Sequence, residues 1–338
     1  MSSPKFQNAM ARRSQATPPI WLMRQAGRYH GHYQRLRERH SFVELCKRPA
    51  LAAEVALGPV RDFDFDAAIL FSDLLFPLEA LGMGLAYTDA GPQLAWRLSE
   101  ESFARLAEVD AAWPLLQVQR AAVRATREAL PADRSLLGFV GGPWTLFTYA
   151  VEGRHSGPLL PSKRRMALFA RFCDRLIPLL ARDIEEQYRQ GAEVVMVFDT
   201  AAGELSPEIF AEEVVPQIAR LAAAGTRAPG YYSKGTQPAH LRHSLFTSGA
   251  LAGIGVDYRW DLREALAMFP HGFVQGNFDP ALMFLEPAEF ETRLRRYLES
   301  LAEAPRDGWI CGLGHGVLPG TPEENVRRFV RLVREVMA

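Results

Sequence analysis

Short runs of consecutive apolar residues recur along the whole chain, at residues 20–24, 67–73, 136–141, 194–199, 229–233, 253–257, 273–277 and 309–314, with longer stretches of mixed polarity between them. Because the apolar positions are consecutive rather than alternating, each run reads as a strand buried on both faces, as in parallel sheets covered by helices. About eight such strands alternating with helices is the pattern of a (β/α)8 TIM barrel, an α/β fold. Helix starts are marked by Ser206-Pro207-Glu208 and Thr321-Pro322-Glu323-Glu324, each placing a hydroxyl at the N-cap and proline at the first helical position. Glu324 stands where a capping box wants its carboxylate, and Val326, Phe329, Val330 and Val333 share one face of the helix that follows. No Gly-, Ser- or Pro-rich linker and no short repeat interrupts the chain, so residues 1–338 are expected to form a single domain, with 1–17 a flexible N-terminal segment. A doubly wound open sheet is the alternative, but no G-x-G-x-x-G follows any of the runs.

Composition narrows the function classes. With 39 Lys+Arg against 39 Asp+Glu the formal net charge is +0, which favours neither nucleic-acid nor membrane-surface binding. The longest apolar-looking stretch, from Ala67 to Ala86, is broken by Asp73, Pro77 and Glu79, against a membrane span. The N-terminus lacks the apolar core of a secretory signal. The three cysteines, Cys46, Cys173 and Cys311, are widely spaced without a C-x-x-C pair. A reduced, cytoplasmic setting is expected.

In a (β/α)8 barrel the chemistry sits at the C-terminal ends of the strands. Here those positions hold Arg24 and Arg28, Asp73, Tyr149, Asp199 with Thr200, Lys234, Asp257, Asn277 with Asp279, and His315 between Gly314 and Gly316. Two arginines four positions apart, with no acidic neighbour, suit a ligand carrying several carboxylates or phosphates, since the guanidinium fork binds such groups bidentately. Each residue also has a plain reading. The arginines could tie down a loop, Asp73 could be an N-cap, His315 could close a turn, and Tyr149 could be a half-buried aromatic whose hydroxyl meets backbone. Their shared position at strand ends favours one site.

The residues also carry a resemblance. Met23-Arg24-Gln25-Ala26-Gly27-Arg28-Tyr29, Phe71-Ser72-Asp73, the run Gly138 to Tyr149 with Val151-Glu152-Gly153, Gln275-Gly276-Asn277-Phe278-Asp279-Pro280 and Leu313-Gly314-His315-Gly316 resemble, in this order, the signatures of the uroporphyrinogen decarboxylase family. The likeness runs from about residue 18 to the C-terminus. It implies a (β/α)8 barrel, usually a homodimer, that uses no cofactor and no metal. The activity it implies converts the four acetate side chains of uroporphyrinogen III to methyls, giving coproporphyrinogen III and carbon dioxide in haem biosynthesis. The catalytic residues it implies are Asp73, Arg24, Tyr149 and His315. The substrate-binding residues it implies are Arg24, Gln25, Ala26, Arg28, Asp73, Tyr149, Thr200 and His315, with Gln25 acting through its backbone.

Loss of carbon dioxide from an acetate on a pyrrole needs an acceptor for the electrons, and a protonated pyrrole ring is one. Asp73 can accept hydrogen bonds from the pyrrole N–H groups and oppose the positive charge, an electrostatic effect that is often the largest in catalysis. A tight bidentate bond to the reacting carboxylate would stabilise the ground state, so Arg28 is assigned to a spectator carboxylate. A guanidinium is a poor proton donor, which leaves Arg24 a positioning or relay role and makes Tyr149 and His315 the more conventional donors.

Departures from the family pattern raise three expectations. His30-Gly31-His32 replaces Leu-Pro-Glu, an H-x-H that with His40 or Cys46 could hold a metal, against the plainer reading of a solvent-facing loop. Tyr258 replaces a tryptophan after Asp257, a change of packing. Gly312 replaces an asparagine, which deprives His315 of an orienting neighbour. Two rivals remain: a catalytically inactive tetrapyrrole-binding barrel, and a zinc-dependent corrinoid methyltransferase of the same superfamily. The second binds zinc through an H-x-C pair, and no cysteine here has a histidine two positions before it.

Overall fold

The computed structural model describes residues 3–88, 91–302 and 305–338. Its centre is a parallel sheet of seven strands, β1 (Ala67–Ile69), β4 (Ser135–Gly141), β5 (Val194–Asp199), β6 (Gly230–Ser233), β7 (Gly253–Gly255), β8 (Phe273–Phe278) and β9 (Trp309–Leu313), in the order β1-β4-β5-β6-β7-β8-β9. Every residue of these strands is buried, because helices cover the outside and packed side chains fill the inside. Seven of the eight apolar runs are therefore strands.

The eighth run, residues 20–24, departs from expectation. Only Ile20 forms a bridge, to Cys311 of β9. Cys311 N donates to Pro19 O (2.9 Å) and Trp21 N to Cys311 O (3.1 Å), while on the other side Asp66 N donates to Ile20 O (3.0 Å) and Ile20 N to Asp66 Oδ2 (2.8 Å). This short segment spans the gap between β9 and β1 and completes the TIM-barrel ring. It stays short for two physical reasons. Pro18 and Pro19 lack the N–H groups a ladder needs. Directly after Leu22 the chain turns, with Gln25 N bonded to Leu22 O (3.0 Å) and Arg24 in the left-handed region at φ 59°.

Within the N-terminal segment 1–17 expected to be flexible, Pro4–Met10 form a helix, with Phe6 and Ala9 fully buried in the core. Ser3 N donates to Ser135 Oγ (3.2 Å) and Gln7 Nε2 to Glu193 Oε2 (2.6 Å), fastening it beneath β4 and β5. A hairpin, β2 (Leu85–Thr88) and β3 (Gly91–Leu94), also lies outside the sequence reading. Its Leu-Ala-Tyr-Thr alternation contrasts too little in polarity to register as a half-buried strand.

Ser206 caps its helix as expected, accepting from Ile209 N (3.3 Å). Thr321 does not. Its hydroxyl donates to Leu318 O (2.8 Å), Pro322 occupies the N-cap, and Glu324 pairs with Arg328 (3.4 Å). The helix Glu323–Val336 does bury Val326, Phe329, Val330 and Val333. Most of the buried apolar residues, from Phe6 to Met337, form one continuous cluster, and Tyr33, Leu36, Leu45 and Val55 form a small second one. Among the described residues no helix is long and apolar enough to cross a membrane.

Candidate active site

The turn that ends the Pro19–Trp21 segment delivers the first candidate group. Arg24 and Arg28 are exposed, and among the described residues neither makes an ion pair. Gln25 is fully buried and spent on structure. Its Oε1 accepts from Leu22 N (3.3 Å), its Nε2 donates to Ala67 O (2.9 Å), and its carbonyl accepts from the Tyr29 hydroxyl (2.7 Å). The Gln25 side chain thus fastens the arginine turn to the start of β1. Ala26 is half-buried and packs on a small cluster with Tyr33, Leu36, Leu45 and Val55.

Asp73 follows β1. Its Oδ1 accepts from Leu75 N (2.8 Å), closing a turn just ahead of the helix Phe76–Leu78. Asp73 does not cap that helix, since Leu75 is the N-cap residue. The Tyr87 hydroxyl of β2 lies beside the carboxylate. Burial holds the Asp73 carboxyl above the ordinary aspartate range, and nearby Glu79 acts in the same direction. The Leu75 amide, the Tyr87 hydroxyl and Arg24 oppose it. Behind it Lys47 Nζ clamps both oxygens of Glu79 at 2.7 Å.

Helix Pro143–Glu152 brings in Tyr149. Gly142 N bonds Phe198 O (2.8 Å) at its start, and buried Asp199 accepts from Thr145 N (2.8 Å) and Thr145 Oγ1 (2.7 Å). Asp199 therefore holds this helix, as does Tyr231, whose hydroxyl donates to Asp199 Oδ2 (3.3 Å). Burial and the charge of Asp73 push the Tyr149 phenol up to about 12, so it is a neutral donor. Its hydroxyl lies 2.6 Å from Nδ1 of His155. Thr200, next to Asp199, is half-buried.

On the opposite side, His315 stacks on Tyr232 with ring centroids 6.1 Å apart and 2° between planes. The Tyr232 hydroxyl donates its single proton to Gly314 O (2.9 Å), so at 3.1 Å it can only accept from His315 Nδ1. That assigns Nδ1–H to His315 and leaves Nε2 with the lone pair. Burial, then the positive charges of Arg24 and Lys234, lower the imidazole pKa to about 3. The two glycines beside His315 are required by close approach. A Cβ at Gly314 would stand 2.3 Å from Tyr258 N, and one at Gly316 would stand 2.4 Å from Arg24 Cδ.

The electrostatic influence of Arg24 reaches Asp73, Tyr149, Tyr232, His155 and His315, so these groups form one cluster at the C-terminal rim. The other strand-end residues hold loops. Asp257 accepts from Gly235 N (2.6 Å) and Arg259 N (2.9 Å) and pairs with the Arg259 guanidinium (2.6 Å). Asn277 Nδ2 donates to Asp257 O (2.9 Å) and Trp260 O (2.8 Å), and Asp279 caps the turn at Ala281 (2.9 Å). Tyr87, His155 and Tyr232 escaped sequence reasoning. Tyr232 lies in a predicted strand two residues before Lys234, and His155 two residues past the matched Val-Glu-Gly run.

The family model described as Uroporphyrinogen decarboxylase (URO-D) matches residues 1–336. The chain belongs to the uroporphyrinogen decarboxylase family. A uroporphyrinogen decarboxylase from Koribacter versatilis is 35% identical over 339 residues, covering 98% of this chain and 95% of the relative. One from Chloroflexus aurantiacus is 38% identical over 348 residues, covering 98% and 95%. Among solved structures, a methyltransferase from Methanosarcina mazei superposes with a TM-score of 0.79 at 19% identity, covering 99% of this chain and 98% of its own, a likeness of fold.

Set against the family's usual residues, the departures have structural answers. The His30–His32 segment is not a solvent-facing loop: His30 is the N-cap of the helix Gly31–Arg39, and His32 lies in its first turn. His30 is buried with Nε2 2.7 Å from Asp62 Oδ2, and His32 lies within 3.3 Å of the Arg61 guanidinium. Both rings pack on helix Pro49–Phe63, where Gly58 makes room for His32. Among the described residues no three His, Cys, Asp or Glu converge as metal ligands. At Gly312 a side chain would meet Trp21 O at 2.5 Å, and Tyr232 supplies the partner that orients His315. Tyr258 is partly exposed under the Arg259 guanidinium, 4.6 Å away.

Proposed function

We propose that this chain is a uroporphyrinogen decarboxylase. It removes four carboxyl groups from the acetates of uroporphyrinogen III, yielding coproporphyrinogen III and carbon dioxide. The proposal takes residues 1–338 as one domain, acting as a homodimer in the cytoplasm without cofactor, metal, nucleic-acid or membrane partner.

One observation carries the reading. A half-buried carboxylate, Asp73, sits at the end of β1 within the field of Arg24, at a rim where Arg24, Arg28 and Lys234 make no ion pair among the described residues. A rim of uncommitted cations suits a ligand with many carboxylates. Asp73 among them, with Glu79 and Asp257 already paired to Lys47 and Arg259, suits the ligand's few N–H donors. Protonation of one pyrrole makes the ring the electron sink, the C–CO2 bond breaks and its electron pair neutralises the ring. A second proton converts the resulting methylene to methyl, and the ring then releases the first proton. Each acetate thus takes up one proton and loses one carbon dioxide. Asp73 opposes the ring's positive charge throughout. Arg24 positions the reacting acetate, Arg28 holds a spectator carboxylate, and Gln25, Ala26 and Thr200 shape the floor beside them. Tyr149 is a neutral donor, and His315 offers the Nε2 lone pair.

The test is anaerobic incubation of metal-stripped protein with uroporphyrinogen III, resolving products by carboxyl number. Stepwise intermediates ending at coproporphyrinogen III are expected. Bound but unchanged substrate would replace this reading with that of an inactive binding barrel.

A further inference from the structure

His155 stands outside every matched motif, yet its Nδ1 lies 2.6 Å from the Tyr149 hydroxyl, and the two rings stack at 5.1 Å with 30° between planes. The imidazole is half-buried just beyond the helix that carries Tyr149. We propose that His155 is a positioning residue for the reaction, and that its charge state sets the direction of this hydrogen bond and hence what Tyr149 presents to the substrate. The inference rests on the decarboxylase reading of the site.

The bond holds one proton. A phenol is the stronger donor and a neutral imidazole nitrogen the stronger acceptor, so beside neutral His155 the Tyr149 O–H points to Nδ1. Tyr149 then shows only lone pairs to the barrel mouth. Protonated His155 must donate from Nδ1 to the phenol oxygen. The Tyr149 hydrogen is then released to another acceptor, such as a substrate carboxylate or a carbon that becomes basic after decarboxylation. The stacking fixes the phenol in both states.

The surroundings make this a response to substrate. The charged and titratable groups facing His155 are Lys234 from the loop after β6, Arg24 from the N-terminal turn, and His315 from the loop after β9. Burial is the largest influence lowering the His155 pKa, followed by Lys234 and then Arg24. In the empty site His155 is therefore neutral. A polycarboxylate that engages Lys234 and Arg24 offsets their repulsion and favours proton uptake at His155, so anion binding turns Tyr149 from acceptor into donor. Protons balance: binding takes one proton from solvent onto His155. When the phenol gives its own to the substrate, the Nδ1 proton crosses the 2.6 Å bond to the phenol oxygen, returning His155 to its neutral form.

The test compares wild type with His155→Gln and His155→Phe, measuring kcat and KM for uroporphyrinogen III across pH, together with histidine 15N spectra. In wild type an ionisation in the kcat profile, which reports the bound state, is expected at higher pH than its counterpart in kcat/KM, which reports the free enzyme. His155→Gln should abolish it. His155→Phe keeps the ring but not the nitrogen, and should lower kcat about tenfold, the equivalent of one lost hydrogen bond, with KM changed less. The nitrogen signal lost in His155→Gln should move in Tyr149→Phe. Unchanged profiles with kcat within about twofold of wild type, or a His155 signal indifferent to Tyr149→Phe, would overturn the inference. Wild type that makes no product would instead overturn the decarboxylase reading, and the spectra would still decide the hydrogen bond.

Discussion

The side chain of Arg24 lies against the Cα of Gly316. A Cβ there would stand 2.4 Å from Arg24 Cδ, 2.7 Å from Cγ and 3.1 Å from Cβ. Because these are the inner atoms of the arginine, on a residue already at φ 59°, it cannot swing aside without moving its whole side chain. The glycine that follows His315 therefore also seats Arg24. Gly316→Ala is expected to lower kcat/KM on the order of ten- to a hundredfold through misplacement of the guanidinium. Thermal unfolding should change little, and activity equal to wild type would show that Arg24 is not positioned there.

Asp73→Asn preserves shape and removes charge. If the carboxylate opposes a cationic ring, kcat should fall on the order of a hundredfold or more while substrate still binds. Protonation should do the same to wild type. The Asp73 pKa is raised, chiefly by burial, so the acid limb of kcat/KM belongs at a higher pH than an ordinary aspartate would give. A profile flat through that range would exclude Asp73 as the titrating group.

Arg28 is exposed, and its charge is the feature assigned to a spectator carboxylate. Arg28→Ala should accordingly raise KM more than it lowers kcat. Steady-state kinetics showing a pure loss of kcat would move Arg28 to the reacting acetate.

Away from the site, Asp183 is fully buried on helix Met166–Arg189. Oδ2 accepts from Gln187 Nε2 (3.1 Å), while Oδ1 has no partner among the described residues. Burial pushes its carboxyl up to about 7. The folded protein thus holds a proton that the unfolded chain releases. This stabilisation is complete below the ordinary aspartate value of 3.8 and is lost as pH rises through about 7, with a slope of about 1.4 kcal/mol for each pH unit between those values. Asp199, raised to about 6 by burial, adds a slope of the same sign. Asp183→Asn should flatten the fall in stability between pH 4 and 7, read by urea unfolding at several pH values. A variant with an undiminished slope would show that Asp183 is ionised in the fold.

Much of the fold is legible in the order of the residues. Consecutive apolar runs located seven strands, because a strand buried on both faces must be apolar at every position. The polar residues after those runs pointed to Asp73 and His315 as candidates, because in such a barrel strand ends are where polar groups can converge. Tyr149 instead stands on the helix Pro143–Glu152 and came with the signature that begins at Gly138. The signatures around Arg24 and Gly142 carried the family. Tertiary structure alone decided the rest. Residues 20–24 have strand composition, yet only Ile20 bridges, since pairing depends on the N–H groups the prolines lack and the turn that Gln25 fastens. The polar N-terminus looked free because three apolar residues, Phe6, Ala9 and Met10, are too few to signal a docked helix. His155 beside Tyr149, and Tyr232 beside His315, are pairings across a helix end or between strands. Sequence pattern records the polarity each position needs, whereas a hydrogen bond between distant residues depends on where the backbone carries them.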